Sequence, residues 1–480
     1  MKGLYLVEPV VALYAFSAYL TYPLVQQYVY RRLWQQLTNS TYPVSDNTST
    51  CARANASDGR NRTYFQEVQE QASLFSLYSQ VLSAVPSLLV TLLLVAYSDR
   101  AGRKVAIVLP LVGTLLYTLS LLAVSYLNLN VYLLVGATLL SALFGGLGTF
   151  LGGCFAYVAD LSGGRRMTLR IAALDMMIGL LSGVASLSTG YFLRAAGFDG
   201  PFLTSAVCQV LVLLYAIFIL EETVTPPDAG AADPDGRSAV RQMFSAIYRM
   251  FASTGPKRRT LLVLLIFIFT SFSFAYMGSF SLLVLYELNE PLCWTEILIG
   301  YGTALSATIF LFSFAGVAAF TYCGAPQLLM VLMGILSLAV GTTVVAFSKT
   351  TLMIFLARVP MFLSIMPFSV LRSMMSKIIC KSEQGALFAL LSFAEVLTIN
   401  VSAAVFNTVY AATVAWCPAF VFLLAAGLCV IPTALLGVVC ATGADVAAED
   451  EAEAEAADDE SEERPQVDKD APEDRDPLLS

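Results

Sequence analysis

Histidine is absent from all 480 residues. The side chain whose unperturbed pKa lies near neutrality is therefore missing as a proton switch. Histidine-dependent membrane hydrolases and acyltransferases are excluded with it. Charge is scarce too: 13% of residues are Asp, Glu, Lys or Arg, roughly half the share of a soluble protein. The chain holds no Gly-x-x-x-x-Gly-Lys-Ser/Thr loop and no catalytic triad, which counts against a primary pump or a membrane enzyme. The period-two alternation over ~10 residues that marks barrel strands is absent as well. The amino terminus has one Lys and no small-residue cleavage site, so its apolar run reads as a spanning helix kinked at Pro23 rather than a leader.

Apolar length is what the chain has in quantity. The sequence is 57% hydrophobic, in runs of about 20 residues that suffice to cross a ~30 Å hydrocarbon core as helices. Spans are expected near 5–28, 74–97, 105–126, 130–158, 171–193, 201–220, 260–286, 296–321, 326–347, 350–376, 386–411 and 416–440. The fold class is an all-α polytopic membrane protein, with twelve transmembrane helices in two six-helix halves, 1–220 and 260–441. A cytosolic linker, 221–259, begins rich in Pro, Gly and Asp and then turns amphipathic from Val240 to Phe251. The tail, 442–480, is acidic, almost free of aromatics and expected to be disordered. Sixteen of the 35 acids lie from Asp445 onward with three bases, which leaves 19 acids against 24 bases and a membrane body of net charge +5.

Basic residues cluster in alternate loops, at Arg100–Lys104, Arg165–Arg170, Arg237–Arg259 and Lys377–Lys381. The positive-inside rule then puts both termini in the cytosol. The first loop, 29–73, breaks the pattern with five arginines, but it holds four acceptor sequons at Asn39, Asn47, Asn55 and Asn61. Sugars there place it on the luminal or outer face. A fifth match at Asn400 falls inside an apolar span and is expected to be unused. Of nine cysteines, Cys51 and Cys293 lie in loops on that oxidising face and are the natural disulfide pair. The tail ends in Asp474-Arg-Asp-Pro-Leu478-Leu479, an acidic dileucine signal for sorting adaptors and an endosomal or lysosomal address.

Ionisable groups inside spans are functional candidates, because hydrocarbon penalises them by several kcal/mol. They are Glu8, Asp175, Arg358, Arg372 and Glu395. Without histidine, a proton-linked step must use carboxylates, whose charged form burial disfavours. Asp175, Glu395 and Arg372 read either as substrate or proton sites or as pairs that lock two helices. Arg372 can hold an anionic substrate or Asp175, while Arg358, nearer a span end, reads as an anchor. Gln26 and Gln27 follow the Pro23 kink, and Tyr301 follows Gly300; these are candidate wall residues, although interfacial anchoring is the commoner fate. Between the second and third spans stands Asp99-Arg-Ala-Gly102-Arg103-Lys104, a gating element in which Asp99 can cap the following helix and accept from Arg103.

That loop resembles the Gly-x-x-x-Asp-x-x-Gly-Arg-Lys signature of the major facilitator superfamily, with Val95 or a neighbour for the leading Gly. Within the superfamily the chain is similar to solute carrier family 46, the family of the proton-coupled folate transporter. The likeness rests on Val7-Glu8-Pro9, Phe155-Ala-Tyr-Val-Ala-Asp160, Tyr286-Glu-Leu with Pro291-Leu-Cys-Trp294, Ile299-Gly-Tyr-Gly302 and Glu383-Gln-Gly-Ala-Leu-Phe388. Phe355-Leu-Ala-Arg-Val-Pro360 and Pro367-Phe-Ser-Val-Leu-Arg-Ser373 look most like its lysosomal branch. The resemblance implies proton-coupled export of bulky polar or anionic organic solutes from an acid compartment, with protons as coupling ion and no other cofactor. It puts the family's span-5 acid on Asp175, its span-10 arginine on Arg372, its span-8 tyrosine on Tyr301 and its external disulfide on Cys51 and Cys293. The folate carrier's histidines are missing, with Tyr276 in the span-7 place, and Gly146 and Thr138 stand near its span-4 acid and arginine. Steroid or bile-acid conjugates, muropeptides and other polar catabolites are therefore the expected cargo. A transport-inactive scaffold or receptor on the same fold, or a plasma-membrane folate-like carrier, are the alternatives. No nucleic acid, metal or enzymatic step is expected.

Overall fold

The computed structural model describes residues 7–38, 59–162, 164–224, 248, 250–252, 255–288, 292, 294, 296–380, 383–413 and 416–441. Before the linker run α1 (Glu8–Thr38), α2 (Gly59–Ala101), α3 (Arg103–Tyr126), α4 (Leu133–Leu143), α5 (Gly146–Leu161), α6 (Gly164–Ala196) and α7 (Asp199–Phe218). After it come α8 (Pro256–Leu288), α9 (Glu296–Tyr322), α10 (Gln327–Phe347), α11 (Thr351–Ala357), α12 (Met366–Ile378), α13 (Gln384–Thr413) and α14 (Phe420–Leu428). Among the described residues every element is helical, and ten stretches are long and apolar enough to cross a membrane. These correspond to the expected spans other than the first and the tenth. The first, α1, turns polar in its second half, and the tenth is broken.

Two helices reach into the expected 29–73 loop: α1 continues to Thr38 and α2 begins at Gly59. Hydropathy falls where Arg31, Arg32, Gln35 and Gln36 begin, but such side chains are good helix formers and do not end a helix. Arg32 ties this extension down, donating to Gln35 Oε1 at 3.0 Å and to the Asn128 carbonyl at 2.8 Å. Asn39, Asn47, Asn55, Cys51 and Cys293 lie outside the described residues, as do Asp474, Leu478, Leu479 and the 442–480 tail. Of Asn61 only the helical backbone is described.

Both span 4 and span 10 are interrupted. Between α4 and α5, Gly145 and Gly146 take φ of 103° and 61°, a left-handed region that favours glycine. The Gly145 carbonyl at the break accepts from Ser87, Thr91 and Thr149 hydroxyls at 3.2, 3.4 and 2.9 Å. Between α11 and α12, residues 358–365 form successive turns around Pro360. Ser337 on α10 donates to the Pro360 carbonyl at 2.6 Å and accepts from Leu363 N at 3.2 Å. Ser313 on α9 does the same for the Phe362 carbonyl at 2.6 Å and Ile365 N at 3.3 Å. In hydrocarbon an unsatisfied backbone group costs several kcal/mol, so irregular backbone survives only where neighbours supply partners.

Helices before the linker pack on those after it through α6 against α9 and α12, and through α13 against α2 and α5. One continuous buried cluster, from Val7 to Val439, crosses this seam. A separate cluster, including Tyr28, Trp34, Phe75 and Phe202, holds together the opposite ends of α1, α2 and α7. The two helix sets are thus knit together on the side of the α2–α3 turn, and the far end of the first set is packed by itself.

Candidate substrate and proton site

The α2–α3 turn works as an interlock. Asp99 ends the long apolar stretch of α2, and Arg103 opens α3. Their side chains meet at 2.6 Å, both largely buried. Asp99 also accepts from Gly385 N at 2.7 Å and Ala386 N at 2.9 Å. These are free amides in the first turn of α13, where the helix dipole favours an anion. A carboxylate from the first helix set thereby caps a helix of the second. The expectation that Asp99 caps the following helix, α3, is corrected: Glu222 does so, accepting from Arg103 N at 2.6 Å and Lys104 N at 3.1 Å. Gly102, with φ of 103°, makes room for it, because a Cβ there would strike the Glu222 carboxylate. Arg103 turns its other edge to Asp160 at the end of α5, with bonds of 2.7 and 3.2 Å. Lys104 donates to the Ile217 carbonyl at 2.9 Å.

Deeper along the same seam lies the charged cluster. Arg372 on α12 is almost completely buried. One amino group donates to Glu395 on α13 at 2.8 and 2.9 Å, and the other to Asp175 on α6 at 3.2 and 3.3 Å. The planar guanidinium fork serves two carboxylates at once, which a lysine does not do with the same geometry. Its carbon sits 4.4 Å from the Phe155 ring centroid, 5.4 Å from Phe269 and 5.7 Å from Phe368. These rings shield the cation from solvent and favour it electrostatically. With both carboxylates ionised the cluster carries one net negative charge, and a single added proton makes it neutral. Next to it, toward the interlock, Thr168 and Ser373 hydroxyls pair across the seam at 2.6 Å, Gln327 donates to Thr168 at 3.2 Å, and Phe155 stacks on Phe388.

The residue range 10–399 matches the family model described as Major Facilitator Superfamily. The chain belongs to the major facilitator superfamily. Within it, the chain is 45% identical over 444 residues to the lysosomal proton-coupled steroid conjugate and bile acid symporter SLC46A3 of Gallus gallus, covering 92% of this chain and 94% of the relative. Its identity to the Homo sapiens protein of that name is 40%, over 92% of this chain and 95% of the relative. The proton-coupled folate transporter of Rattus norvegicus is 33% identical, over 90% and 91%. Among solved structures, the human organic anion transporter MFSD10 matches with a TM-score of 0.68 at 15% identity, covering 91% of this chain and 99% of that one. The fucose:proton symporter FucP of E. coli matches at 0.57 and 15%, covering 91% and 98%. At such identities the structures speak for the fold alone. Membership makes the protein a multi-pass membrane transporter of small organic substrates, not an enzyme.

Against that superfamily frame, the expected site residues divide. Asp175, Arg372 and Glu395 come together, as do Asp99 and Arg103. Arg358 departs from its reading as an interfacial anchor: its side chain is 1% exposed and pairs with Glu287 at 2.8 Å, itself 2% exposed. The reason is the break after α11, which turns the chain inward at Arg358 and lets it meet the end of α8. Tyr301 stands exposed on α9, and Gln27 is exposed on α1; neither joins the charged contacts. Glu8 pairs with Arg170 at 2.7 Å, a bridge from α1 to α6. Phe155, Asp160 and Glu287 figure in the sequence only inside the strings that carry the resemblance, and none of them, nor Glu222, reads there as a site residue. An acid at a helix end is ordinary, and nothing in the one-dimensional pattern marks its partner.

Proposed function

We propose that the chain is a lysosomal proton-coupled symporter that exports bulky anionic or polar organic solutes from lumen to cytosol by alternating access. The observation that carries this reading is the sharing of Arg372 between Asp175 and Glu395 across the two helix sets. A substrate anion can take a place on Arg372 only if a carboxylate gives one up. Protonation of a carboxylate removes its charge and frees that edge of the guanidinium. Asp175, whose contacts are the longer pair, is the carboxylate that yields, and Glu395 keeps the arginine oriented. One proton and one substrate anion then enter together, so the cluster keeps the same single net negative charge as the halves move. The tight seam at the interlock corresponds to a carrier closed toward the cytosol and open toward the lumen.

Steroid or bile-acid conjugates lead the list of cargoes, supported by the names of the relatives, with muropeptides and other catabolites behind them. In this reading twelve spans form two six-helix halves, 1–220 and 260–441, and both termini are cytosolic. Asn39, Asn47, Asn55 and Asn61 carry luminal sugars, Cys51 pairs with Cys293, and Asp474 with Leu478 and Leu479 recruits sorting adaptors. The test is uptake of a bile-acid conjugate into proteoliposomes holding the purified full chain, with the pH outside lowered. Wild type is expected to take it up faster in acid, and Arg372→Ala to lose uptake by at least about a hundredfold, the scale of losing a charge-assisted contact of ~3 kcal/mol. Uptake that ignores pH, or survives Arg372→Ala, refutes the reading.

A further inference from the structure

A cavity of about 570 Å³ opens inside the first helix set, lined by α1, α2, α3, α4 and α7. Among the described residues no charged side chain lines it. Its walls combine the rings of Tyr22, Tyr30, Phe75 and Tyr117 with neutral hydroxyl and amide groups. It lies in the size range of pockets that take drug-sized ligands, and is many times the ~30 Å³ share of one water. A second cavity of about 270 Å³ shares the Gln80, Ser83, Tyr117 and Thr138 walls and reaches Val396 and Asn400. Those two residues lie on α13, the helix of Glu395. The paired cavities therefore lead from the interior of the first helix set to the helix that carries the charged cluster.

One wall holds an unsatisfied acceptor. Gln209 on α7 is fully buried and lines the larger cavity. Its amide nitrogen donates to Ser17 Oγ at 2.7 Å, and Ser17 Oγ in turn donates to the Tyr14 carbonyl at 2.9 Å. The Ser17 hydroxyl proton is thus committed, so the reversed amide would put oxygen against oxygen. The network fixes the Gln209 nitrogen toward Ser17 and leaves Oε1 buried with no partner among the described residues. Behind it, Thr21 donates to Ser205 at 2.8 Å and Ser205 to the Ser17 carbonyl at 3.0 Å, so no spare donor turns back. Ser79 Oγ, on α2, is likewise buried without a partner among the described residues. Buried polar atoms in native structures are nearly always paired, and an exception points to what completes it.

We propose that this cavity is the subsite for the uncharged, hydroxylated ring body of the transported conjugate, with Gln209 Oε1 accepting a hydrogen bond from a ring hydroxyl. The inference rests on the transport reading above, which assigns the anionic end to Arg372. The aromatic walls take the apolar faces of the rings, and the lack of charge excludes an ionised group from this end.

The test measures binding to the purified full-length protein of glycocholate, whose rings carry hydroxyls, and of its analogue without ring hydroxyls. Wild type is expected to prefer glycocholate by about tenfold, one buried hydrogen bond. Gln209→Leu is expected to reduce that preference to about twofold or less, with little change for the hydroxyl-free analogue. Ser83→Phe, which fills the shared wall, is expected to weaken both about tenfold or more. Equal wild-type affinity for the two probes overturns the subsite, a result independent of how any variant folds; so does a preference unchanged in Gln209→Leu. If wild type binds neither probe, the transport reading fails and the subsite with it.

Discussion

A guanidinium buried in a membrane protein must be matched, and the two buried arginines are matched differently. Arg358 has one carboxylate, Glu287, and its Nε and other amino group have no partner among the described residues. Arg372 has two carboxylates on two different helices. The first arrangement joins helices within the second set; the second spans the seam between the two helix sets. Removing one member of a buried pair strands the other at about 3–5 kcal/mol, whereas replacing both with apolar groups is often neutral. Glu287→Leu is therefore expected to destabilise the protein by that amount in a detergent unfolding titration, and Glu287→Leu with Arg358→Met to recover most of it. A double variant as unstable as the single would show that the pair does more than join α8 to α11. Asp175, Arg372 and Glu395 were legible in the sequence, because a charge within twenty apolar residues stands out at any register. Glu287 was not: it sits at the end of a span, where an acid draws no attention until the fold brings Arg358 beside it.

At the scale of the helix, the informative features are interruptions. Spans 4 and 10 hold corresponding places in the expected halves, and both are broken partway along, with hydroxyl side chains bonding the backbone at the break. Paired interruptions of this kind are where substrate sites of transporters gather, and both lie close to groups argued for here, Gly146 on the smaller cavity and Arg358 beside Glu287. A hydropathy window averages over such turns, since the residues in them stay apolar, so span 10 read as one helix. Ser313→Ala and Ser337→Ala each leave a buried carbonyl and amide short of a partner. Each is expected to lower stability by about 1–3 kcal/mol in the same titration; a neutral double variant would mean that the break is held by packing alone. The interlock offers a cleaner readout. A Cβ at Gly385 would run into the Asp99 carboxylate and Arg103. Gly385→Ala is expected to pry α13 from the α2–α3 turn and to raise the alkylation rate of a cysteine placed at the buried Ser373 by about tenfold. An unchanged rate would mean that Asp99 does not hold this face shut.

Across the whole molecule, the sequence carried the class, ten of the twelve expected apolar runs and the acid–base pair at the α2–α3 turn, because each is a local pattern of solubility or charge. It did not carry distances. Asp99 meets amides almost three hundred positions along the chain, and the cap expected of it is supplied by Glu222, beyond the end of α7. The cavity in the first helix set was invisible for the same reason, being assembled from five helices by residues that are individually unremarkable. What unites these parts in the proposed mechanism is one buried arginine whose hold on Asp175 changes with a proton. The most direct measurement is substrate accumulation against its own gradient, driven by an imposed proton gradient, in proteoliposomes of wild type and Asp175→Asn. Wild type should accumulate a bile-acid conjugate, and the variant, fixed in the uncharged form, should still exchange substrate across the membrane at either pH yet accumulate none. Proton-driven accumulation by Asp175→Asn equal to wild type would contradict the role given to that carboxylate and, with it, the sharing of Arg372 as the coupling device.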